Sequence, residues 1–143
     1  MIIIQIISEI GDFLMKGQNY SRKRQAIYDL MCSTDRHPTA EWIYNELKLD
    51  YPDLSLGTVY RNIKLLESKG MINSVTVVNG CERYDAFTDP HSHFVCRVCG
   101  KIIDVFINFN TFPAVKINGA RKIESQSLIY YGICEDCDEE LSL

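Results

Sequence analysis

Four of the six cysteines in this 143-residue chain fall as two pairs, Cys96-x-x-Cys99 and Cys134-x-x-Cys137. No other feature constrains the fold as tightly. Tetrahedral Zn²⁺ takes four thiolates at about 2.3 Å, and the C-x-x-C spacing swings two sulfurs round one tight turn. Gly100 follows the first pair and Gly132 precedes the second. A closed Cys₄ site of this kind is structural, because all four coordination positions are filled by protein. The competing reading is two disulfides or free core thiols. The paired spacing and the absence of a secretory leader favour zinc. Cys32 and Cys81 are left over and read as buried or incidental thiols.

The chain length allows one ordinary domain or two small ones. With 46% hydrophobic and 24% charged residues the composition is that of a globular protein. Two small domains would be marginal on burial alone, so a structural metal or a dimer partner is expected to help. The formal net charge is −4, which by itself argues mildly against nucleic acid. The distribution matters more than the sum. Residues 1–87 carry ten Lys and Arg against eleven Asp and Glu, while residues 88–143 carry five against eight. Ser55–Lys69, with three basic residues and one acid, is locally positive. The opening MIIIQII is too short to span a bilayer and lacks the flanks of a leader. It reads as part of a packed helix or strand in a cytoplasmic protein with no membrane partner.

An apolar helix candidate lies within residues 1–16 and ends near Gly17-Gln18-Asn19. Ser21 is placed to cap a helix over Arg22–Cys32, whose stripe is Ala26, Ile27, Leu30 and Met31. Thr39 caps Ala40–Lys48, with Ala40, Ile43, Tyr44 and Leu47 on one side. Ser55 caps Leu56–Lys69, which Gly70 terminates. Val59, Ile63 and Leu66 line one face of that helix; Tyr60, Arg61, Lys64 and Ser68 line the other. Ile72–Val78 and Cys81–Tyr84 flank Asn79-Gly80, a strong hairpin signal. Helices followed by such a hairpin make the pattern of a winged helix-turn-helix. Beyond the turn chemistry of Phe87–Pro90, strands are expected at Phe94–Cys96, Ile102–Ile107 and Leu128–Tyr131, with 108–126 ambiguous.

A second constellation interleaves with the cysteines. His91 and His93, at i and i+2 of an extended segment, face one way. Asp85 and Asp104 flank them, and His37 lies far upstream. A donor set of nitrogen and oxygen without sulfur suits Mn²⁺, Fe²⁺ or Zn²⁺. Spacing alone leaves open whether these are ligands or ordinary surface histidines. The exposed helix face is a third candidate. Tyr60, Arg61 and Lys64 have the chemistry to reach base edges and phosphates, with Arg61 suited to guanine. A solvated helix face is the plain alternative.

Taken together, these residues resemble the ferric uptake regulator family of metal-dependent repressors. The likeness runs from His37-Pro38-Thr39-Ala40 through Ser55-Leu56-Gly57-Thr58-Val59-Tyr60-Arg61 and His91-Ser92-His93-Phe94-Val95-Cys96-x-x-Cys99-Gly100-Lys101 to Tyr131-Gly132-x-Cys134-x-x-Cys137. The resemblance implies an α+β chain: an N-terminal winged helix-turn-helix DNA-binding domain (1–84), a hinge (85–90), and a C-terminal α/β dimerisation domain (91–143) with the Cys₄ zinc site. It implies a regulatory Fe²⁺ or Mn²⁺ held by His37, Asp85, His91, His93 and Asp104. It makes Ser55, Thr58, Tyr60, Arg61 and Lys64 the expected contacts to a double-stranded operator, bound by a homodimer.

Within the family, iron sensors usually carry Glu at the position of Asp104, and the peroxide-sensing (PerR-type) branch carries Asp. The resemblance therefore implies that H₂O₂ reacts at bound Fe²⁺ and oxidises His37 or His91, whereas Mn²⁺ responds far less. Three features depart from the pattern. Arg61 is the residue iron sensors commonly have where some peroxide sensors have Asn. Val105–Gln126 lacks the usual amphipathic helix, so its dimer interface is expected to differ in detail. With three histidines in all, the extra histidine-rich site of some iron sensors has no ligands here. The alternatives are an iron- or zinc-responsive repressor of the same family and, more remotely, a metallohydrolase. An enzyme needs a general base and a pocket for a small organic substrate, and nearly every candidate residue is already used as a ligand.

Overall fold

The structure, a computed structural model, describes residues 21–107, 117–122 and 126–141. The expected helix within 1–16 and most of the ambiguous 108–126 stretch lie outside the described residues. The chain divides into two compact units, Met1–Asp89 and Pro90–Leu143.

Three capped helices build the first unit: α1 (Arg22–Cys32), α2 (Ala40–Leu47) and α3 (Leu56–Ser68). Each cap is a hydroxyl accepting an otherwise orphaned N–H. Ser21 Oγ accepts from Arg24 at 3.4 Å, Thr39 Oγ1 from Trp42 at 3.1 Å and Ser55 Oγ from Thr58 at 3.1 Å. A cap of this kind contributes about 1 kcal/mol. Lys48 and Lys69, expected as last helical residues, are the C-caps, and Gly70 follows with φ +69°. Ile27, Met31, Ile43, Val59, Ile63 and Leu66 meet in one core, closed by Ile72 and Tyr84.

The buried face of α1 differs from the expected stripe. Ile27 and Met31 are buried, but Gln25 and Tyr28 join them, while Ala26 and Leu30 are half-buried. Gln25 is tolerated there because its Nε2 donates to Asp29 Oδ1 at 2.8 Å. Tyr28 hydrogen-bonds Cys32, and burial raises the pKa of its phenol. Both side chains bury long apolar stems behind polar ends that are hydrogen-bonded at least in part, Gln25 Oε1 having no partner among the described residues, and this turns the stripe.

Strands β1 (Asn73–Val78) and β2 (Cys81–Asp85) form the antiparallel hairpin. Asn79 (φ 52°) and Gly80 (φ +80°) both take the left-handed conformation of a two-residue turn that matches strand twist. Strand β2 runs one residue beyond the expected Tyr84, so a sheet rather than a connector carries Asp85.

In the second unit, β3 (Ser92–Cys96) is central, antiparallel to β4 (Ile102–Val105) and parallel to β5 (Ile129–Gly132). Strand β4 stops two residues short of the expected Ile107. Within the ambiguous stretch, 117–122 contains a turn: Ala120 N–H donates to the Ile117 carbonyl at 3.1 Å, with Gly119 at φ +89°. A short helix, α4 (Glu135–Leu141), was not expected from the sequence; its first turn holds Glu135, Asp136 and Asp138. Among the described residues no helix is long and apolar enough to cross a membrane. The architecture is α+β.

Candidate metal centres and nucleic-acid face

Parallel pairing of β3 with β5 sets Cys96 beside Gly132, and Arg97 N–H continues the ladder to the Gly132 carbonyl at 2.8 Å. The two C-x-x-C turns therefore end at one edge of the sheet. The sulfurs of Cys96, Cys99, Cys134 and Cys137 all lie within 4.8 Å of one another, and Cys99 Sγ is 3.7 Å from Cys134 Sγ. A tetrahedron of thiolates about 2.3 Å from its centre has edges of about 3.8 Å. None of the six cysteines is joined in a disulfide, so that alternative falls. Backbone N–H groups of Cys99 and Cys134 pull Cys96 down to about 6, whereas hydrogen bonding to neighbouring cysteines raises Cys137. Four sulfurs this close cannot all ionise without a cation between them, and the donor set fits Zn²⁺.

A second constraint sits beside it. A Cβ placed on Gly132 would lie 2.8 Å from Phe94 Cε2, and Phe94 packs on the cysteine cluster. Gly132 is small because an aromatic ring occupies its side-chain space.

His37 lies between α1 and α2 with φ +52°, an uncommon conformation for a residue with a side chain. Strand β2 over-determines it. Arg83 donates through Nε to the His37 carbonyl and through an Nη to the Arg36 carbonyl at 2.6 Å. The next residue, Tyr84, donates its N–H to the Pro38 carbonyl at 3.1 Å. Burial holds the Arg83 pKa below the ordinary guanidinium value. So placed, His37 is 3% exposed and its Nε2 faces Asp85 Oδ2 at 3.6 Å. Asp85 is oriented in turn: its Oδ1 accepts the Phe87 N–H at 2.7 Å.

In the second unit, Asp104 stands directly across the antiparallel ladder from His93. Its Oδ1 is 3.6 Å from His93 Nε2 and 3.3 Å from His91 Nε2, and the two rings are 4.4 Å apart. Phe106 stacks on His91 at 5.5 Å. Two imidazoles and one carboxylate make a donor set suited to Fe²⁺ with open positions, and without sulfur it also suits Mn²⁺.

The exposed face of α3 carries Tyr60, Arg61 and Lys64, opposite the buried Val59, Ile63 and Leu66. Ser55 and Thr58 open the helix, their hydroxyls 2.9 Å apart. Each longer side chain is held within the unit. Arg61 donates to Thr58 Oγ1 at 3.1 Å, Lys64 pairs with Glu67 at 3.1 Å and lies 3.9 Å from Glu82, and Tyr60 donates to Glu41 Oε1 at 2.6 Å.

Residues 15–131 match the profile of the ferric uptake regulator family. This chain belongs to the ferric uptake regulator family. It is 27% identical to the peroxide-responsive repressor PerR of Staphylococcus aureus over 95% of this chain and 93% of that one. Its fold is similar to that of the Helicobacter pylori ferric uptake regulator Fur: TM-score 0.74, 24% identity, covering 94% of this chain and 93% of that one. A likeness also extends to the iron-bound ferric uptake regulator of Francisella tularensis, with TM-score 0.70 and 26% identity over 86% and 96% of the two chains. The family is one of metal-responsive repressors, and the cysteine cluster and His/Asp donors of this member are the metal chemistry it calls for. Sequence reasoning missed Arg83 and Phe94. Neither carries a local signal, because each acts on a residue brought close only by folding.

Gly132→Ala is expected to push Phe94 off the cysteine cluster. Zinc content by atomic absorption should fall and the melting temperature with it, while Gly70→Ala, where nothing lies within 4 Å of the added carbon, should keep full zinc.

Proposed function

We propose that this protein is a metal-dependent transcriptional repressor that binds a double-stranded operator as a cytoplasmic homodimer and responds to peroxide through oxidation of His37 or His91. In this reading residues 1–84 are the DNA-binding domain, 85–90 the hinge and 91–143 the dimerisation domain. The observation that carries it is the division of one kind of donor set between the two units. His37 and Asp85 belong to the first, and His91, His93 and Asp104 to the second.

Neither half holds enough donors to fill the coordination shell of a first-row divalent ion. If all five side chains share one ion, the first unit is locked to the second. In a dimer, that sets the separation of the two α3 helices, which must match half-site spacing on the duplex. Ser55, Thr58, Tyr60, Arg61 and Lys64 then meet the DNA. The intramolecular partners of Arg61 and Lys64 are surface contacts that contribute little, so phosphates displace them readily. Linkage requires that DNA tighten metal as much as metal tightens DNA. Moving the dimer from 1% to 99% competent needs roughly 5.5 kcal/mol of differential affinity.

Bound Fe²⁺ supplies the one-electron chemistry with H₂O₂ that bound Mn²⁺ supplies poorly. His37, Asp85, His91, His93 and Asp104 would hold the ion, and a shell they did not fill would admit a small oxidant. With H₂O₂ as oxidant, His37 or His91 would gain one peroxide oxygen at its ring carbon while the other leaves as water; in the 2-oxo-histidine formed both ring nitrogens carry protons, so no donor lone pair is left for a metal. Among the described residues all three histidines are used as ligands in this reading, so no imidazole remains as a general base, which disfavours an enzyme. The S. aureus PerR likeness supports the peroxide reading, and the Francisella likeness favours plain iron response as the second.

One experiment separates the two. DNA retention by Fe- and Mn-loaded protein is measured with and without H₂O₂, followed by intact-mass analysis. Loss of binding only for the Fe form with peroxide, with one added oxygen on a peptide holding His37 or His91, is expected. Release governed by metal identity alone, or oxidation confined to cysteines, contradicts the peroxide mechanism. Separately, His37→Ala should abolish metal-dependent DNA binding yet retain zinc and the dimer. A variant that still binds DNA on metal addition would refute the shared ion.

A further inference from the structure

We infer that Glu41, on α2, is a specificity-determining residue: it fixes the hydrogen-bond polarity of Tyr60 so that this side chain accepts from a base-edge amino group and does not bind phosphate. The inference rests on the DNA-binding reading above.

The two residues are 19 apart in sequence and lie on different helices, yet Tyr60 OH donates to Glu41 Oε1 at 2.6 Å. That is the short distance of a hydrogen bond to an ionised acceptor. Glu41 is well placed to stay ionised. It stands in the first turn of α2, where the helix dipole favours negative charge, and the hydrogen bond from Tyr60 lowers its pKa. The same bond raises the pKa of Tyr60. At neutral pH the phenol is therefore protonated and the carboxylate is not.

A carboxylate only accepts, so the single phenolic proton is committed to Glu41. What Tyr60, 39% exposed, presents outward is an oxygen with lone pairs and no proton. Phosphate oxygens are also acceptors and carry negative charge, so the pair repels them. The major-groove groups that donate to such an oxygen are the exocyclic amino groups of adenine and cytosine. Arg61 and Lys64, one and four residues on, keep the opposite polarity. The exposed face of α3 thus presents two cations and one fixed acceptor.

Glu41→Gln removes the commitment: a neutral amide can still accept through Oε1, but it can also donate its own N–H to the phenol oxygen, which frees the phenolic proton. The variant should then prefer base-edge acceptors such as guanine O6 or thymine O4. The test uses Mn²⁺-loaded full-length protein and a randomised duplex pool, with wild type, Glu41→Gln, Tyr60→Phe and the double variant. The expected result is a shift of roughly ten-fold in base preference at one position of each half-site for Glu41→Gln. That position should lose its preference in Tyr60→Phe, and adding Glu41→Gln to Tyr60→Phe should change nothing further.

Uniformly tighter binding of Glu41→Gln to every sequence, with or without the phenolic hydroxyl, would overturn the inference, since Glu41 would then act only as a charge. An unchanged preference would overturn it too. Tyr60→Phe reaches the same hydrogen bond from its other end and keeps the test open if Glu41→Gln is unstable. Failure of the wild type to enrich any sequence removes the DNA-binding reading and this inference together, and is distinct from the other outcomes.

Discussion

The second unit depends on the two-residue alternation of β3. At i and i+2 of extended backbone, His91 and His93 share one side and Ser92, Phe94 and Cys96 share the other, and Phe94 packs with the cysteines. Six consecutive residues therefore serve two metal chemistries without mixing imidazole and thiolate donors. Each neighbour strand completes one of them. Antiparallel β4 brings Asp104 opposite His93, and parallel β5 brings Gly132 beside Cys96 so that Cys134 follows into the sulfur cluster. A register slip of one residue in β3 would exchange the faces and dismantle both sites at once.

The first unit solves a harder local problem. His37 sits in a left-handed conformation just before a proline, and conformations of that kind cost of order 1–3 kcal/mol. Arg83 and Tyr84, consecutive on β2, hold the carbonyls of Arg36, His37 and Pro38, and the following residue of the same strand is Asp85. One strand thus fixes the histidine backbone and supplies its carboxylate neighbour. Thr39 then caps α2, the helix that carries Glu41 toward Tyr60. The His37 loop and the exposed face of α3 are linked through a handful of hydrogen bonds within this unit.

Local rules carried the sequence reading where structure is local. Ser21, Thr39 and Ser55 each cap the helix they precede, and Asn79-Gly80 turns the hairpin, because a hydroxyl or a left-handed turn acts within four residues. The C-x-x-C pairs were legible as one cluster because their spacing encodes a metal's geometry. What pairs across the fold was not. The parallel alignment of β3 with β5, the ring of Phe94 over Gly132, the grip of Arg83 on His37 and the tether of Tyr60 to Glu41 join residues with no periodic relation. Helix α4 escaped because EDCDEEL is acidic and lacks an apolar stripe. The α1 stripe was misplaced because Gln25 and Tyr28 bury stems whose polar tips find partners at Asp29 and Cys32. The grouping of His37 and Asp85 with His91, His93 and Asp104 came from family likeness, since spacing left their role open.

We propose that donors from both units hold a single regulatory ion. The chain has three histidines, so the ligand count is decisive. Pulsed electron paramagnetic resonance on zinc-replete protein loaded with one equivalent of Mn²⁺ counts the imidazole nitrogens coupled to that ion. Three coupled nitrogens, falling to two in His37→Ala, are expected. Two in the wild type, unchanged by that substitution, would place His37 outside the site and contradict it.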